Sequence, residues 1–397
     1  MGMVDLKALH VRGKRVLVRV DFNVPLENGE ITDITRIRAA LPTLKYLLEQ
    51  GSKVVLVSHL GRPKSGFSPE LSLEQLLSGI EKELECPLVF LGNVLDKAAL
   101  THWNALPMGS VALLENLRFH PEEEAGDVQF AQRLAEFADV YVNDAFGTAH
   151  RAHASTAVVA HFVPEKAPGF LMQKELDAVA QVLNQAQSPF TAVIGGAKIS
   201  SKIGVLKNLI ERADRFIVGG GMVYTFIKAQ GGEIGLSLVE ESMLETAKEF
   251  LHACSQKGVQ VYLPEDSVCS TRFADDGAAC VYPSHAIPAS HMGLDAGPKA
   301  RATIESWILD SKTILWNGPL GVFEIPVFAQ GTLALGKAIA QATRHGAYSL
   351  VGGGDSVAAA NALGISEQLS YVSTGGGALL ESMEGKILPG HRALMDV

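Results

Sequence analysis

Tyr348-Ser-Leu-Val-Gly-Gly-Gly-Asp-Ser-Val357 is the stretch that decides how this chain folds. Tyr348 to Val351 is a short apolar run of β-forming residues and reads as a buried strand. Three glycines follow, then an acid and a hydroxyl, and Val357-Ala-Ala-Ala-Asn361 reads as the start of a helix. Strand, glycine turn and helix start together make a cradle for phosphate. Glycines at 353 and 354 lack the Cβ that blocks close approach, and free N–H groups at a helix start point at the anion. Asp355 can then hold a cation that bridges phosphates. A tight strand-to-helix turn with Asp355 or Ser356 as N-cap accounts for the same residues. Taken alone, the stretch leaves both readings open.

Working outward, the same alternation fills the chain. Apolar runs at Arg15–Val20, Lys53–Ser58, Pro87–Phe90, Val111–Leu114 and Val140–Val142 read as strands of a first series. Phe190–Ile194, Arg215–Val218, Gln260–Leu263, Thr313–Trp316, Tyr348–Val351 and Leu369–Val372 make a second. Amphipathic stretches lie between them. In 36–50, Ile37, Leu41, Leu44 and Leu48 fall at helical spacing and Gly51 stops the helix. Strands alternating with helices mean parallel sheets with crossover connections. The expected fold is α/β, two doubly wound, Rossmann-like parallel-sheet domains joined by a helical hinge. Pro164-Glu-Lys-Ala-Pro-Gly169 breaks any regular element and marks the boundary, with a hinge helix over about 171–186. Domains of 1–170 and 171–385 follow. The tail from Gly385 carries apolar residues but no clear element.

Bulk properties narrow the function. The 397 residues carry a net charge of −9, which argues against nucleic-acid partners and anionic membranes. An anionic ligand therefore needs a local basic cluster. Cys86, Cys254, Cys269 and Cys280 are scattered without a C-x-x-C pair, which fits a reducing cytoplasm. The first residues lack a signal-peptide core, Gly2 lacks the hydroxyl residue of a myristoylation signal, and no apolar run is long enough to span a membrane. A cytoplasmic monomer is expected.

In doubly wound sheets, ligands bind beyond the carboxyl ends of the strands. Beyond the first series lie Asp21-Phe-Asn23, His59-Leu-Gly-Arg62, Arg118 and Asn143–His153, which includes His150 and Arg151. Arg36 opens the first helix nearby. Four arginines and His59 on successive strand ends describe a pocket for a small, multiply charged anion. His150 and His153, with no adjacent carboxylate or Cys ligand, make a weak metal signal. Beyond the second series, glycine and lysine replace arginine: Gly195-Gly-Ala-Lys198 with Lys202, Gly219-Gly220-Gly221, Asn317-Gly-Pro with Glu324, Gly352–Ser356, and Gly375–Gly377. Backbone N–H groups, two point charges and one acid are the equipment of a nucleotide-phosphate site. Lys198 and Lys202, one helical turn apart, face the same phosphates.

Other nucleotide and hydrolase signatures are missing. There is no G-x-G-x-x-G, no G-x-S-x-G and no H-E-x-x-H. Gly331-Thr-Leu-Ala-Leu-Gly-Lys-Ala338 imitates a Walker A motif, but it ends in Ala338, has no strand before it, and reads as plain helix. An anion pocket on one domain and a nucleotide site on the other fit phosphoryl transfer, which asks mainly for positioning and charge neutralisation.

The motifs Arg19-Val-Asp-Phe-Asn-Val-Pro25, Ser58-His-Leu-Gly-Arg-Pro63, Glu115-Asn-Leu-Arg-Phe119, 143–155, Gly195-Gly-Ala-Lys198, Trp316-Asn-Gly-Pro319, Gly321-Val-Phe-Glu324, Gly352–Asp355 and Ser373–Gly377 occur in one order. In this the chain resembles the phosphoglycerate kinase family, from Arg15 to Gly390. The resemblance implies reversible transfer between 1,3-bisphosphoglycerate and ADP, giving 3-phosphoglycerate and ATP with Mg2+, by hinge closure. It implies that Asp21, Asn23, Arg36, His59, Arg62, Arg118 and Arg151 hold 3-phosphoglycerate. Lys202, Gly219, Gly220, Asn317, Glu324 and Gly353 to Ser356 would hold the nucleotide, with Glu324 on the ribose and Asp355 on Mg2+. Arg36, Lys198, Lys202 and the Gly354 amide would stabilise the transferring phosphoryl group. The tail, 386–397, would return to the first domain. Ser356 stands where the family usually has Thr, which keeps the hydroxyl, and 275–291 carries no family motif and reads as a variable loop. A hinged two-domain binding protein explains the arginines but not the glycine–lysine half. A dehydrogenase lacks its fingerprint.

Overall fold

The computed structural model describes residues 3–64, 66–275 and 277–395. The Gly2 reading therefore lies outside the described residues. The chain divides into two compact units. The first runs up to Asp177 and takes in the residues from Ile387 onward, and the second runs from Ala178 to Lys386.

The first unit is built on β1 (Arg15–Arg19), β2 (Lys53–Val57), β3 (Leu88–Gly92), β4 (Val111–Leu114), β5 (Val140–Asn143) and β6 (Glu165–Pro168). They form one sheet in the order β3-β4-β2-β1-β5-β6, every neighbour parallel. Its central strands read as unbroken apolar runs because helices cover both faces. All five residues of β2 are buried. Helix Thr35–Glu49 packs Ile37, Ala40, Leu44 and Leu47 into this core.

The second unit holds β7 (Phe190–Ile194), β8 (Arg215–Val218), β9 (Gln260–Tyr262), β10 (Thr313–Asn317), β11 (Tyr348–Val351) and β12 (Tyr371–Val372). Their order is β9-β8-β7-β10-β11-β12, again parallel throughout. This is the doubly wound order in which strand sequence reverses between β7 and β10, the place where such sheets open a crevice. The α/β expectation of two parallel-sheet units holds. No described helix is long and apolar enough to cross a membrane.

Three local expectations need correction. Pro164–Gly169 does not break regular structure: Glu165–Pro168 is a strand paired with β5. It lies at the sheet edge, where a proline's missing N–H is tolerated. The motif-poor 275–291 stretch contains a strand, Cys280–Pro283, antiparallel to Asp266–Ser270, which pairs in turn with Met292–Ala296. The tail contains a short helix, Pro389–Arg392, and Gly390 donates its N–H to the Ala149 carbonyl at 2.8 Å. The Walker-like stretch lies inside helix Gln330–Arg344, as read.

Helix Phe170–Asn184 is anchored at its start by Asp144, a fully buried acid just past β5. Asp144 Oδ1 accepts from the N–H groups of Leu171 at 2.9 Å and Met172 at 3.1 Å, and Phe170 N–H donates to Thr43 Oγ1 at 2.8 Å. Its Oδ2 has no partner, and burial pushes its pKa from 3.8 up to about 6 against those hydrogen bonds. A carboxyl with a raised folded pKa binds more protons folded than unfolded between the two values. Stability contributed by the protonated form is therefore lost as pH rises from about 4 to about 6. Asp144→Asn removes that slope, so calorimetric melting of the two proteins should show the variant gaining on the wild type across this interval. A difference that does not change with pH contradicts the assignment.

Candidate active site

At the carboxyl end of the first sheet, the strand ends gather the basic residues. Asp21 and Asn23 follow β1, His59 and Arg62 follow β2, Arg118 follows β4, and Arg151 and His153 follow β5. Arg36 lies in the first turn of helix Thr35–Glu49, and its Nη1 donates to Asp21 Oδ2 at 2.8 Å. Asn23 Oδ1 accepts from Gly61 N–H at 2.8 Å, and Arg118 Nη1 donates to the Gly61 carbonyl at 2.9 Å. Those two bonds fix the backbone beside Arg62, whose side chain is exposed. Exposed Arg151 donates from Nε to His150 Nε2 at 2.9 Å.

Electrostatics couple several of these groups. His59 is buried, and its pKa falls well below the usual histidine value. Burial is the chief cause, followed by the charges of Arg19, Arg118 and Arg36 and by His153. Burial likewise depresses His153 to about 4, with Arg118, Arg19 and Arg151 adding to it and Glu124 opposing. Arg118 is itself pushed down by burial, with Arg19 and Arg62 contributing. The pocket thus concentrates guanidinium charge and keeps both histidines neutral near pH 7.

Beneath the arginines lies a buried network that strand-end reasoning missed. Arg19, the last residue of β1, is 1% exposed and donates from Nε to Ser155 Oγ at 2.8 Å. Ser155 donates from Oγ to Glu123 Oε1 at 2.5 Å and from its N–H to Glu123 Oε2 at 2.9 Å. Tyr141 Oη donates to the Ser155 carbonyl at 2.7 Å. An arginine inside an otherwise apolar strand run was the one available signal.

In the second unit the glycine turn resolves its two readings. Helix Gly354–Ala362 begins inside the glycine run, with Gly353 as N-cap and no side-chain cap. Asp355 and Ser356 sit in its first turn. The Ser356 hydroxyl is buried and accepts from Gly318 N–H at 2.5 Å, so it braces the neighbouring loop. Asn317 donates from Nδ2 to the Gly352 carbonyl at 2.8 Å and accepts from Lys202 Nζ. Lys202 is half-buried, and desolvation lowers its pKa while Asp355 opposes. Lys198 and Lys202 do not share an α-helical turn. A 3-10 turn, Ile199–Ser201, separates them, yet both line one cavity of about 420 Å³. Gly195, Gly196, Gly353, Gly354, Asp355 and Ser356 also line it.

That polar cradle shares Gly196, Ala197 and Asp355 with an adjoining apolar cavity of about 490 Å³. Gly220, Gly221, Tyr224, Leu236, Leu294, Leu320 and Glu324 line the second cavity. Its size and lining suit a flat heteroaromatic base with a polar rim. Gly221 stood out in the sequence only as part of the Gly219–Gly221 run, and Leu236, Leu294 and Leu320 were not named there individually. Gly219 does not line it, because a Cβ there would meet Leu320 Cδ2 at 2.3 Å. Among the described residues no group of three or more His, Cys, Asp or Glu could hold a metal ion. Asp355, a single exposed acid on the wall common to both cavities, matches the one-carboxylate support that Mg2+ takes alongside phosphate oxygens.

A phosphate cradle opening onto an apolar base pocket, at the switch point of a doubly wound sheet, defines a nucleotide-binding unit of the phosphotransferase class. A family model described as phosphoglycerate kinase matches residues 6–386. Curated relatives named phosphoglycerate kinase include that of Prosthecochloris aestuarii, 49% identical over the whole of both chains, and that of Chlorobaculum tepidum, 50% identical over the same span. Among solved structures, the phosphoglycerate kinase of Coxiella burnetii matches 99% of both chains at 42% identity with a TM-score of 0.90. That of Pyrococcus horikoshii matches 99% of this chain and 98% of its own at 31% identity and a TM-score of 0.83. The chain belongs to the phosphoglycerate kinase family.

Two glycine substitutions separate cradle from scaffold. Gly353 has φ +92, and a Cβ there would sit 2.8 Å from Asn317 Nδ2, so Gly353→Ala should destabilise the protein by ~1–3 kcal/mol in denaturant titration. Gly354 is on the cradle wall, and a Cβ there meets nothing within 4 Å. Gly354→Ala should leave the unfolding midpoint nearly unchanged and weaken nucleotide binding by roughly tenfold in calorimetry, the loss expected when an anion is held off its backbone donors.

Proposed function

We propose that this chain catalyses the reversible transfer of a phosphoryl group between 1,3-bisphosphoglycerate and ADP, giving 3-phosphoglycerate and ATP, the glycolytic reaction of its family. The observation that carries the reading is the pairing of an arginine-rich anion site on one unit with a cradle-and-pocket nucleotide site on the other. In the ATP-consuming direction, a carboxylate oxygen of 3-phosphoglycerate attacks the γ-phosphorus. The P–O bond to ADP breaks, and ADP leaves with the bonding electrons. The acceptor is ionised at neutral pH, so no general base is required.

The residues divide the work by charge. Arg62, Arg118 and Arg151 take the phosphate of 3-phosphoglycerate, with Asp21 and Asn23 ordering Arg36 and the Gly61 backbone. Arg36, Lys198, Lys202 and the Gly354 amide meet the charge that develops on the moving phosphoryl group. Glu324 faces the sugar, and Asn317 holds Lys202 in place. Asp355 would hold Mg2+ on the nucleotide phosphates, where the ion supplies charge neutralisation. Ligands held by separate units must be brought together during the cycle, so closure belongs to the proposal. The chain is further proposed to act as a cytoplasmic monomer on small molecules alone.

A coupled assay with ADP, Mg2+ and 1,3-bisphosphoglycerate should form ATP, and a hinged binding protein would form none. Arg36→Ala should lower kcat by roughly a hundredfold or more, the scale of one lost transition-state donor. ADP affinity, measured separately, should stay within about twofold, because Arg36 lies on the other unit. Equal losses in both would sink the divided site.

A further inference from the structure

The buried network below the arginine pocket does more than fill space. His59 Nδ1 lies 3.1 Å from Arg19 Nη2. A guanidinium has five donors, no acceptor, and does not lose its proton in proteins. The ring nitrogen facing it must therefore accept, so Nδ1 is bare and the ring proton sits on Nε2. Arg19 is locked in this pose from three sides. Nε is taken by Ser155 Oγ, Nη1 donates to the Val20 carbonyl, and Nη2 faces His59. Glu123, 1% exposed, is the acid joined to Arg19 through Ser155; burial raises its pKa, and the Arg19 charge and the two Ser155 hydrogen bonds act against that rise. An unpaired buried guanidinium would be strongly destabilising. The charged and titratable groups acting on His59 are Arg19, Arg118, Arg36 and His153, and all of them disfavour a second ring proton.

We propose that Arg19 is a positioning residue of the anion site: its Nη2–H, aimed at His59 Nδ1, fixes His59 as the neutral Nε2–H tautomer and so presents the anion with a hydrogen-bond donor. Glu123 and Ser155 hold Arg19 in the pose that does this. The inference rests on the 3-phosphoglycerate reading for its kinetic consequence, but not for the tautomer itself.

Two-bond proton–nitrogen correlation NMR of protein carrying 15N-histidine tests the tautomer directly. His59 signals, assigned by their loss in His59→Gln, should show Nε2 protonated and Nδ1 bare, unchanged between about pH 6 and 8. An Nδ1-protonated ring or an imidazolium overturns the proposal. The double variant Arg19→Met/Glu123→Gln removes both buried charges together, so neither is stranded. In it, His59 should become a mixture of tautomers. KM for 3-phosphoglycerate should rise roughly tenfold, with kcat and KM for ATP within about twofold, the size of one hydrogen bond to a charged ligand. An unchanged tautomer, or equal rises in both Michaelis constants, overturns it. If the variant does not fold, the wild-type spectrum decides. If the wild type turns over no 3-phosphoglycerate, the kinase reading falls, and the tautomer assignment is judged on the spectrum alone.

Discussion

Gly195 and Gly318 meet at the centre of the second sheet with no side chain between them. A Cβ on Gly195 would lie 2.1 Å from the Pro319 carbonyl oxygen, and one on Gly318 would lie 2.1 Å from the Gly195 carbonyl oxygen. Both residues follow the strands between which the order reverses, so the chain leaves the sheet in opposite directions from this contact. The crevice that results sets everything around it. Lys198 and Lys202 reach it from one side, Asn317 joins Lys202 to the Gly352 turn, and Ser356 ties the helix after that turn back to Gly318. A nucleotide site here is a property of sheet order and backbone contact first, and of side chains second.

The first unit solves a different problem. Its ligand site must hold several guanidinium charges close together in a protein that is acidic overall. Distance alone does not achieve this. Arg36 is paired with Asp21, Arg118 with Glu124, and Arg19 with Glu123 through Ser155. The histidines stay neutral, which keeps further positive charge out of the cluster. Arg62 and Arg151 are exposed and have no ion pair among the described residues. The two units thus present anions with different chemistry: planar forks on one, backbone amides and ammonium groups on the other.

Much of this was legible in the sequence because parallel sheets put ligand residues just after apolar runs. That rule singled out Asp21, Asn23, His59, Arg62, Arg118 and Arg151 as candidates, and on the other unit the glycines and both lysines. It failed where a role depends on contacts between distant segments. Arg19, Glu123 and Ser155 come from a strand, a short helix and a loop, and nothing in their spacing joins them. Gly219 and Gly221 look alike in sequence, but Leu320 packs against one while the other faces the cavity. The Ser356 hydroxyl points into the protein, which the order Gly-Asp-Ser does not disclose. The edge strand Glu165–Pro168 escaped because Pro168 within it and Pro164 just before it argue against a strand everywhere except at an edge.

The first unit is not continuous in the chain. Residues from Ile387 onward return to it, through the Gly390 contact with Ala149 and a bridge between Met3 and Met395. The ribosome therefore finishes all of the second unit before it makes the last piece of the first. The second unit, contiguous from Ala178 to Lys386, needs no segment from elsewhere in the chain, whereas the first needs one that is made after all of the second. The unit that begins the chain is thus the one whose sequence is completed last.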